Sequence, residues 1–325
     1  MNQYEAGEVP NDAALVVNPA AGAGRVKRQW PEIHTEVKSR FGSIRTVFTE
    51  HEGHGIALAR QLVEEGFKTI YVMGGDGTNN EVVDGIMSTD PQPGEITLGQ
   101  IPFGTGGDFK RVLSNSGSYH SALASLPVAP TFLCDVGRIE FVNHKGEPAT
   151  RHFLNIASCG IGGLVDQIVN RTPKWLGGKL SFYLGTVRAL FEYEPTRCRL
   201  TVDGEFIGEF DLTGVFIANS RYAGGGMMFA PDALVDDGLF EVVVVPALPL
   251  WDSLLNLSAV YKGEHIDRDE VVHCQGKEVH IEPLDGTLGL LDVDGEAPGR
   301  IPATFSIVPG AIKVANLVPE VRSGV

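Results

Sequence analysis

The chain of 325 residues is poor in cysteine, with four, at positions 134, 159, 198 and 274, and no C-x-x-C pair. That spread excludes a disulfide framework or a zinc knuckle and fits a reducing compartment. Histidine offers no metal centre either. Of nine, only His51 and His54 stand close together, and no companion ligands flank them. Positive charge is scarce: 26 Lys and Arg against 41 Asp and Glu leave a net charge of −15. Such a balance argues against a nucleic-acid binder and against adhesion of the whole surface to anionic lipid, while leaving room for a local basic patch. Long apolar runs are missing as well. The longest, near Val242–Trp251, is broken by Pro246 and Pro249 and is too short to span a bilayer. The opening stretch MNQYEAGEVPNDAAL is acidic and lacks the apolar core of a signal peptide, so a cytosolic protein is expected. Two phosphate-binding signatures are also absent. No G-x-x-x-x-G-K-[ST] occurs, and Lys27 stands where G-x-G-x-x-G needs its third glycine.

What the chain has in excess is glycine, 40 residues of it. Without a Cβ, glycine permits tight turns and close approach of backbone to a ligand. The length exceeds what one core usually fills, so two domains are expected. Residues 1–130 alternate short apolar strands with helical stretches: AALVVNP (13–19), a helix over 26–41, IRTVFTE (44–50), a helix over 55–66, TIYVMGGDG (69–77), a helix opening at 81 and TLGQIPFGTGG (97–107). That alternation predicts an α/β domain on a parallel sheet. From 131 to 305 the texture changes to short, often alternating apolar segments separated by Gly, Pro, Asp and Asn, as in TRHFLNI (150–156), LFEVVVVP and LGLLDVDGE. Those predict an antiparallel all-β sandwich or barrel, the sandwich being preferred, with helical inserts near 175–192 and 250–262, and a last strand at about 306–320 with room to return to the first domain.

Three glycine turns in the first domain each follow a predicted strand. Ligands of open α/β sheets sit beyond the carboxyl ends of the strands, where backbone N–H groups and helix N-termini bind phosphate. The first turn, Asn18-Pro19 with Gly22, Gly24 and Arg25, says little alone. The second, Gly74-Gly75-Asp76-Gly77-Thr78-Asn79-Asn80-Glu81, joins glycines, an acid and a hydroxyl at a helix start. A carboxylate repels bare phosphate, so Asp76 makes most sense bridging through Mg²⁺. The third, Pro102-Phe103-Gly104-Thr105-Gly106-Gly107-Asp108-Phe109, repeats the logic, with Asp108 as a plain helix cap the rival reading.

G-G-D-G-T-x-N-E followed some twenty residues later by P-F-G-T-x-x-D-F resembles the diacylglycerol kinase catalytic family, which includes sphingosine and ceramide kinases and bacterial relatives. The resemblance extends through Asp135-Val136-Gly137, Gly224–Gly226, Ala230-Pro231-Asp232, Val235-Asp236-Asp237-Gly238 and Asp294-Gly295-Glu296. It departs from the family pattern at Gly106 and Gly107, which replace a larger residue and an Asn. The resemblance implies an N-terminal nucleotide domain, a C-terminal β sandwich and an active site in the cleft between them. It implies ATP contacts by Asn18, Thr49, Gly74, Gly75, Asp76, Gly77, Thr78, Asn79, Asn80, Gly104 and Thr105. It further implies a structural Mg²⁺ on the Asp237 carboxylate and the carbonyls of Leu234 and Leu239. Asp76 and Asp108 join the catalytic set. One acid of Asp294 and Glu296, with Asp294 preferred, would take the proton of a lipid hydroxyl.

The expected protein is therefore an ATP- and Mg²⁺-dependent lipid kinase of diacylglycerol type, with a sphingoid or other lipid alcohol, or NAD, as alternative acceptors. A nucleotide-responsive regulator without catalysis is the alternative of another class, and the retained acids count against it. Expected partners are ATP and a lipid alcohol presented at a membrane surface, with transient peripheral association, no nucleic acid and room for a homodimer. The basic and aromatic stretch from Arg171 to Leu184 reads as a headgroup-facing segment or as a helix packed on the sandwich.

Overall fold

The structure, a computed structural model, describes residues 12–103, 107–113, 118–170, 178–249, 257–284, 286 and 288–315. Gly104, Thr105 and most of the basic aromatic stretch lie outside them. In chain order the elements begin β1 (Ala13–Val17), α1 (Ala21–Phe41), β2 (Arg45–Phe48), α2 (His54–Glu64), β3 (Thr69–Gly74), α3 (Asp76–Met87), β4 (Thr97–Pro102), α4 (Asp108–Val112) and α5 (Tyr119–Ser125). Then come β5 (Thr131–Asn143), β6 (Pro148–Phe153), β7 (Ile156–Gly160), α6 (Ile161–Asn170), α7 (Gly178–Glu192), β8 (Thr196–Val202) and β9 (Glu205–Ala218). The chain continues with β10 (Tyr222–Ala223), β11 (Met227–Met228), β12 (Phe240–Pro246), β13 (Val272–Gly276), β14 (Glu278–Pro283), β15 (Leu291–Val293) and β16 (Gly299–Ala315). Two compact units result, Met1–Cys134 with Gly310–Val325, and Asp135–Pro309.

In the first unit the strand order is β16–β4–β3–β1–β2, and every pair is parallel. Strands β1 and β3 are buried along their whole length, as a parallel sheet covered on both faces requires. On one face Val26, Ile33 and Val37 of α1 pack with Tyr71, Met73 and Ile101. Each fully buried branched side chain of this kind contributes roughly 1.5–3 kcal/mol.

One helix starts where the pattern puts it and one starts earlier. Gly22, Ala23 and Gly24 are all in left-handed conformation, so the regular turns of α1 begin after them, near the expected 26. Helix α3 opens at Asp76 rather than 81, so the glycine motif is half turn and half helix. Gly77, Asn79 and Asn80 are poor helix formers and hide this start.

The second unit is antiparallel. Its strands run β13–β12–β9–β8–β14–β16, with β7 pairing both β9 and β15, and β5 pairing β6. Phe153, Ala157, Leu200, Ile217, Val242 and Phe305 sit in its core. Strand β16 changes texture midway. Ile301, Ala303 and Phe305 alternate with less buried neighbours opposite β14, whereas Ala311, Ile312, Val314 and Ala315 are nearly all buried where the strand joins β4. The segment 150–156, expected as one strand, is two, β6 and β7, parted at Leu154 and Asn155 because their amides turn toward a carboxylate described below. Helix α6 was not expected, since Gly162 and Gly163 mask a short helical period. Near 250–262 the helix is seen over 257–262, and the rest lies outside the described residues.

Candidate functional site

Asn18, Thr49 and Gly74 fall together at the carboxyl ends of β1, β2 and β3. The amide of Asn18 donates to the Met73 carbonyl and that of Thr49 to the Val17 carbonyl, both at 2.9 Å. The Asn18 side chain then ties the turns: Nδ2 donates to Thr78 Oγ1 at 2.9 Å, and Oδ1 accepts the Ala20 amide at 2.9 Å. Gly74 must be glycine here, because a Cβ would lie 2.6 Å from the Thr78 side chain. Gly75 is the N-cap of α3, so Asp76, Gly77 and Thr78 make its first turn, where unpaired amides and the helix dipole favour an anion.

Asp76 joins two of the turns. Its Oδ2 accepts the amides of Gly107 at 2.6 Å and Asp108 at 3.1 Å, binding the second glycine turn to the third. Its Oδ1 is buried with no hydrogen-bond partner. Asn79 is 1% exposed, and both atoms of its amide are also buried without partners. Orphaned buried polar atoms are costly, and here they sit on the helix expected to receive phosphate. Asn80 is buried beside them. Asp108 is the first residue of α4 after Gly107, so it is not the cap, and its carboxylate meets Arg111 Nη1 at 2.5 Å. Glu81, the last residue of the motif, has an unforeseen task. Its two carboxylate oxygens accept the amides of Gly53 and Gly55, each at 2.8 Å, which satisfies the start of α2. No local signal in the sequence links residues so far apart.

In the second unit, Asp294 and Gly295 form the two-residue loop of a hairpin closed by Val293 and Glu296, whose backbones exchange bonds of 2.8 and 3.1 Å. The Asp294 carboxylate accepts the amides of Leu154 at 2.8 Å and of Asn155 and Ile156 at 3.0 Å each. Burial pushes this carboxyl up to about 7 despite the opposing pull of the three amides, and the neighbouring Asp292 charge adds to the rise. Glu296 faces Arg151, with Nη2 3.5 Å from Oε2. Pattern reading overlooked two further acids. Asp292 Oδ1 accepts the Gly295 amide at 2.8 Å, Ser158 Oγ donates to its Oδ2 at 3.3 Å, and Asp166 of α6 hydrogen bonds to the same side chain. Desolvation raises both carboxyls above the ordinary range.

The loop expected to hold Mg²⁺ is also organised. Gly238 donates to Asp135 Oδ2 at 2.7 Å, the Asp135 amide donates to the Val235 carbonyl at 2.7 Å, and Asp237 Oδ1 accepts the Leu239 amide at 3.0 Å. Desolvation, with Glu241 and Asp236 near, lifts the Asp237 carboxyl. A carboxylate such as Asp237, with main-chain carbonyls of its loop, is the oxygen-donor chemistry that a hard cation keeping several waters takes. Among the described residues no three His, Cys, Asp or Glu side chains gather as a metal cage, so carbonyls and water would have to complete the shell.

Comparison with known proteins follows the same division. Residues 12–139 match the diacylglycerol kinase catalytic domain, and residues 155–316 match the YegS C-terminal NAD kinase beta sandwich-like domain. The crystal structure of a candidate diacylglycerol kinase from Bacillus anthracis str. Sterne shares the fold, with a TM-score of 0.74 and 24% identity, covering 95% of this chain and 98% of that one. Fold and matched domains together define the class: a diacylglycerol kinase catalytic domain followed by an NAD kinase beta sandwich-like domain. A diacylglycerol kinase of Staphylococcus haemolyticus is 30% identical over 94% of this chain and 88% of its own length. One from Staphylococcus aureus is 29% identical over 90% of this chain and 88% of its length. The chain belongs to the diacylglycerol kinase family.

Proposed function

We propose that the protein is an ATP- and Mg²⁺-dependent lipid kinase that phosphorylates the hydroxyl of a diacylglycerol-type lipid. The observation that carries this reading is Asp294, a carboxyl held in place by three backbone amides and pushed up to about 7. A base is most effective when its pKa lies near the working pH, and an acceptor hydroxyl needs a base where a bound regulator would not.

The amides of the first turn of α3 and the turn around Asn18 bind the phosphates, with Thr78 and Asn79 adding side-chain hydrogen bonds. Thr49 and the turn containing Gly104 and Thr105 complete the nucleotide contacts. Asp76, through its unpartnered Oδ1, would hold the Mg²⁺ of the nucleotide, and that ion supplies charge neutralisation on the phosphates. A second Mg²⁺ on Asp237, Leu234 and Leu239 would brace the loop. Asp108, pinned by Asp76 through its amide, orders the third turn. Asp294 orients the lipid hydroxyl and takes its proton as the hydroxyl oxygen bonds to the γ-phosphorus and the bond from that phosphorus to the bridging oxygen breaks, releasing ADP. That is enough for a loose phosphoryl-transfer transition state. Glu296, drawn toward Arg151, is the second acid of the turn. Among the described residues no helix is long and apolar enough to cross a membrane, and the kinase would meet its lipid by transient contact with a membrane surface.

The test is a transfer assay with labelled MgATP and mixed micelles carrying diacylglycerol, monoacylglycerol, sphingosine or ceramide, with NAD in a separate arm. Label entering diacylglycerol most rapidly is the expected result. Preference for a sphingoid would change the acceptor, label in NAD alone would overturn the lipid assignment, and no transfer to any acceptor would favour a regulator.

A further inference from the structure

Outside the residues assigned above, the second unit holds an acid pair, Asp166 buried and Asp292 half-buried, that the reaction scheme does not use. We propose that Asp166 and Asp292 are positioning residues, a carboxylic acid–carboxylate pair that shares one proton and fixes the Asp294-Gly295-Glu296 turn against helix α6. This rests on the reading that the turn supplies the base.

Asp292 lies on β15 opposite Ser158 of β7. Ser158 Oγ donates to one of its oxygens at 3.3 Å, and the other accepts the Gly295 amide at 2.8 Å. Asp292 thus grips the turn from within. Asp166 reaches the same carboxylate from α6 and is 2% exposed. Two carboxyl groups can hydrogen bond only if one carries a proton, since an ionised carboxylate is acceptor-only. Burial of Asp166 and the close approach of two like charges make the doubly charged state costly. Asp166 is the donor, and its Oδ2 is buried without a partner.

Helix α6 is shaped for this approach. A Cβ on Gly162 would stand 2.4 Å from Ser158 Oγ and 3.2 Å from Asp292 Oδ2, and one on Gly163 would stand 2.7 Å from Leu290 Cβ. Both glycines weaken the helix, by roughly 1 kcal/mol each relative to Ala, yet they let it close on the pair. The groups facing Asp166 are acidic: Asp292 on β15, and Glu296 on the turn, whose own neighbour is Arg151 of β6. Asp294 stands beside Asp292. On the far side of β7, Cys159 and Tyr193 are neutral at ordinary pH, the Tyr193 phenol being pushed up to about 12 by burial. The described groups placed against Asp166 are acidic, so loss of the shared proton adds negative charge beside the base and loosens the grip on Gly295.

Asp166→Asn keeps a hydrogen-bond donor and removes the proton. Its kcat with MgATP and diacylglycerol micelles is expected to stay within about threefold of wild type at neutral pH, since the shell around the base is kept. As pH rises through the range in which Asp166 ionises the wild type falls, and the variant stays flat over that limb. Asp166→Ala, which loses the bond, is expected to drop kcat by roughly tenfold to a hundredfold with KM for ATP unchanged, the scale of a displaced reacting group. Coincident limbs for wild type and Asp166→Asn would overturn the proposal.

A second readout does not depend on the turn being catalytic. A carboxyl raised in the folded state contributes stability below the ordinary carboxylate range and loses it as pH rises through its folded value. The melting temperature of wild type should therefore fall with rising pH more steeply than that of Asp166→Asn. Equal slopes would sink the shared proton, even if the base is correctly assigned. Full activity in Asp294→Asn would sink the base while leaving the slope test intact.

Discussion

The second unit contains the same dipeptide turn twice. Asp203-Gly204 joins β8 to β9, and Asp294-Gly295 joins Val293 to Glu296. The aspartates both have φ 50°, and the glycines have φ 80° and 88°, the two left-handed residues that a tight hairpin needs. Each aspartate even uses its carboxylate alike, accepting amides from a distant segment: Lys277 and Glu278 at 2.9 and 2.8 Å for Asp203, Leu154 to Ile156 for Asp294. What differs is the surroundings. Asp203 is exposed, whereas Asp294 is desolvated and has Asp292 beside it. Turn geometry is shared property, and chemistry comes from what packs on the turn.

The largest contrast should appear on removing each charge. Asp294→Asn is expected to lower kcat by about 10²–10⁴-fold, the usual worth of a positioned general base. Asp203→Asn keeps an acceptor oxygen and a turn-forming residue, so its stability should change by no more than about 0.5 kcal/mol, as at most surface sites, with kcat unchanged. Comparable activity in the two variants would erase the distinction and remove Asp294 from the mechanism.

A smaller effect follows from pH. A base must be unprotonated to act, so with the Asp294 carboxyl at about 7, kcat should fall about tenfold per unit as pH drops below that value. Asp203→Asn should leave this acidic limb in place. A profile already flat from pH 5 upward would show that another group, with Glu296 first in line, takes the proton.

How far all this was readable beforehand depends on distance along the chain. The parallel sheet and the sandwich announce themselves through strand periodicity and through glycines at strand ends, both local features. Asn18, Thr49 and Gly74 lie at the ends of β1, β2 and β3, as the strand pattern places them, while a nucleotide role for Asn18 and Thr49 came from the family resemblance. By contrast, Asp76 holding the amides of Gly107 and Asp108, and Glu81 holding those of Gly53 and Gly55, are contacts between segments whose spacing carries no period. Asp292 was hidden by its strand, since alternation in LGLLDVDG treats it as an ordinary outward residue. Asp166 was hidden by a helix that two glycines disguise. The third turn remains half described, because Gly104 and Thr105 fall outside the described residues.

The finest division between the two turns comes from their glycines. Nothing lies within 4 Å of a Cβ built on Gly204 or Gly295, so an alanine there meets no neighbour and the cost is backbone strain alone. For an L-residue in the left-handed region that is about 1–2 kcal/mol, and it should be nearly equal at both sites in urea unfolding of Gly204→Ala and Gly295→Ala. Activity should not be equal. Strain at 295 is relieved by moving the loop that carries Asp294 and Glu296 and that donates the Gly295 amide to Asp292, so kcat should fall several-fold, while Gly204→Ala matches wild type. Matched losses of stability with unmatched losses of activity separate what a hairpin needs from what this hairpin does. If both variants lost activity alike, the carboxylate at 294 would owe nothing to its position.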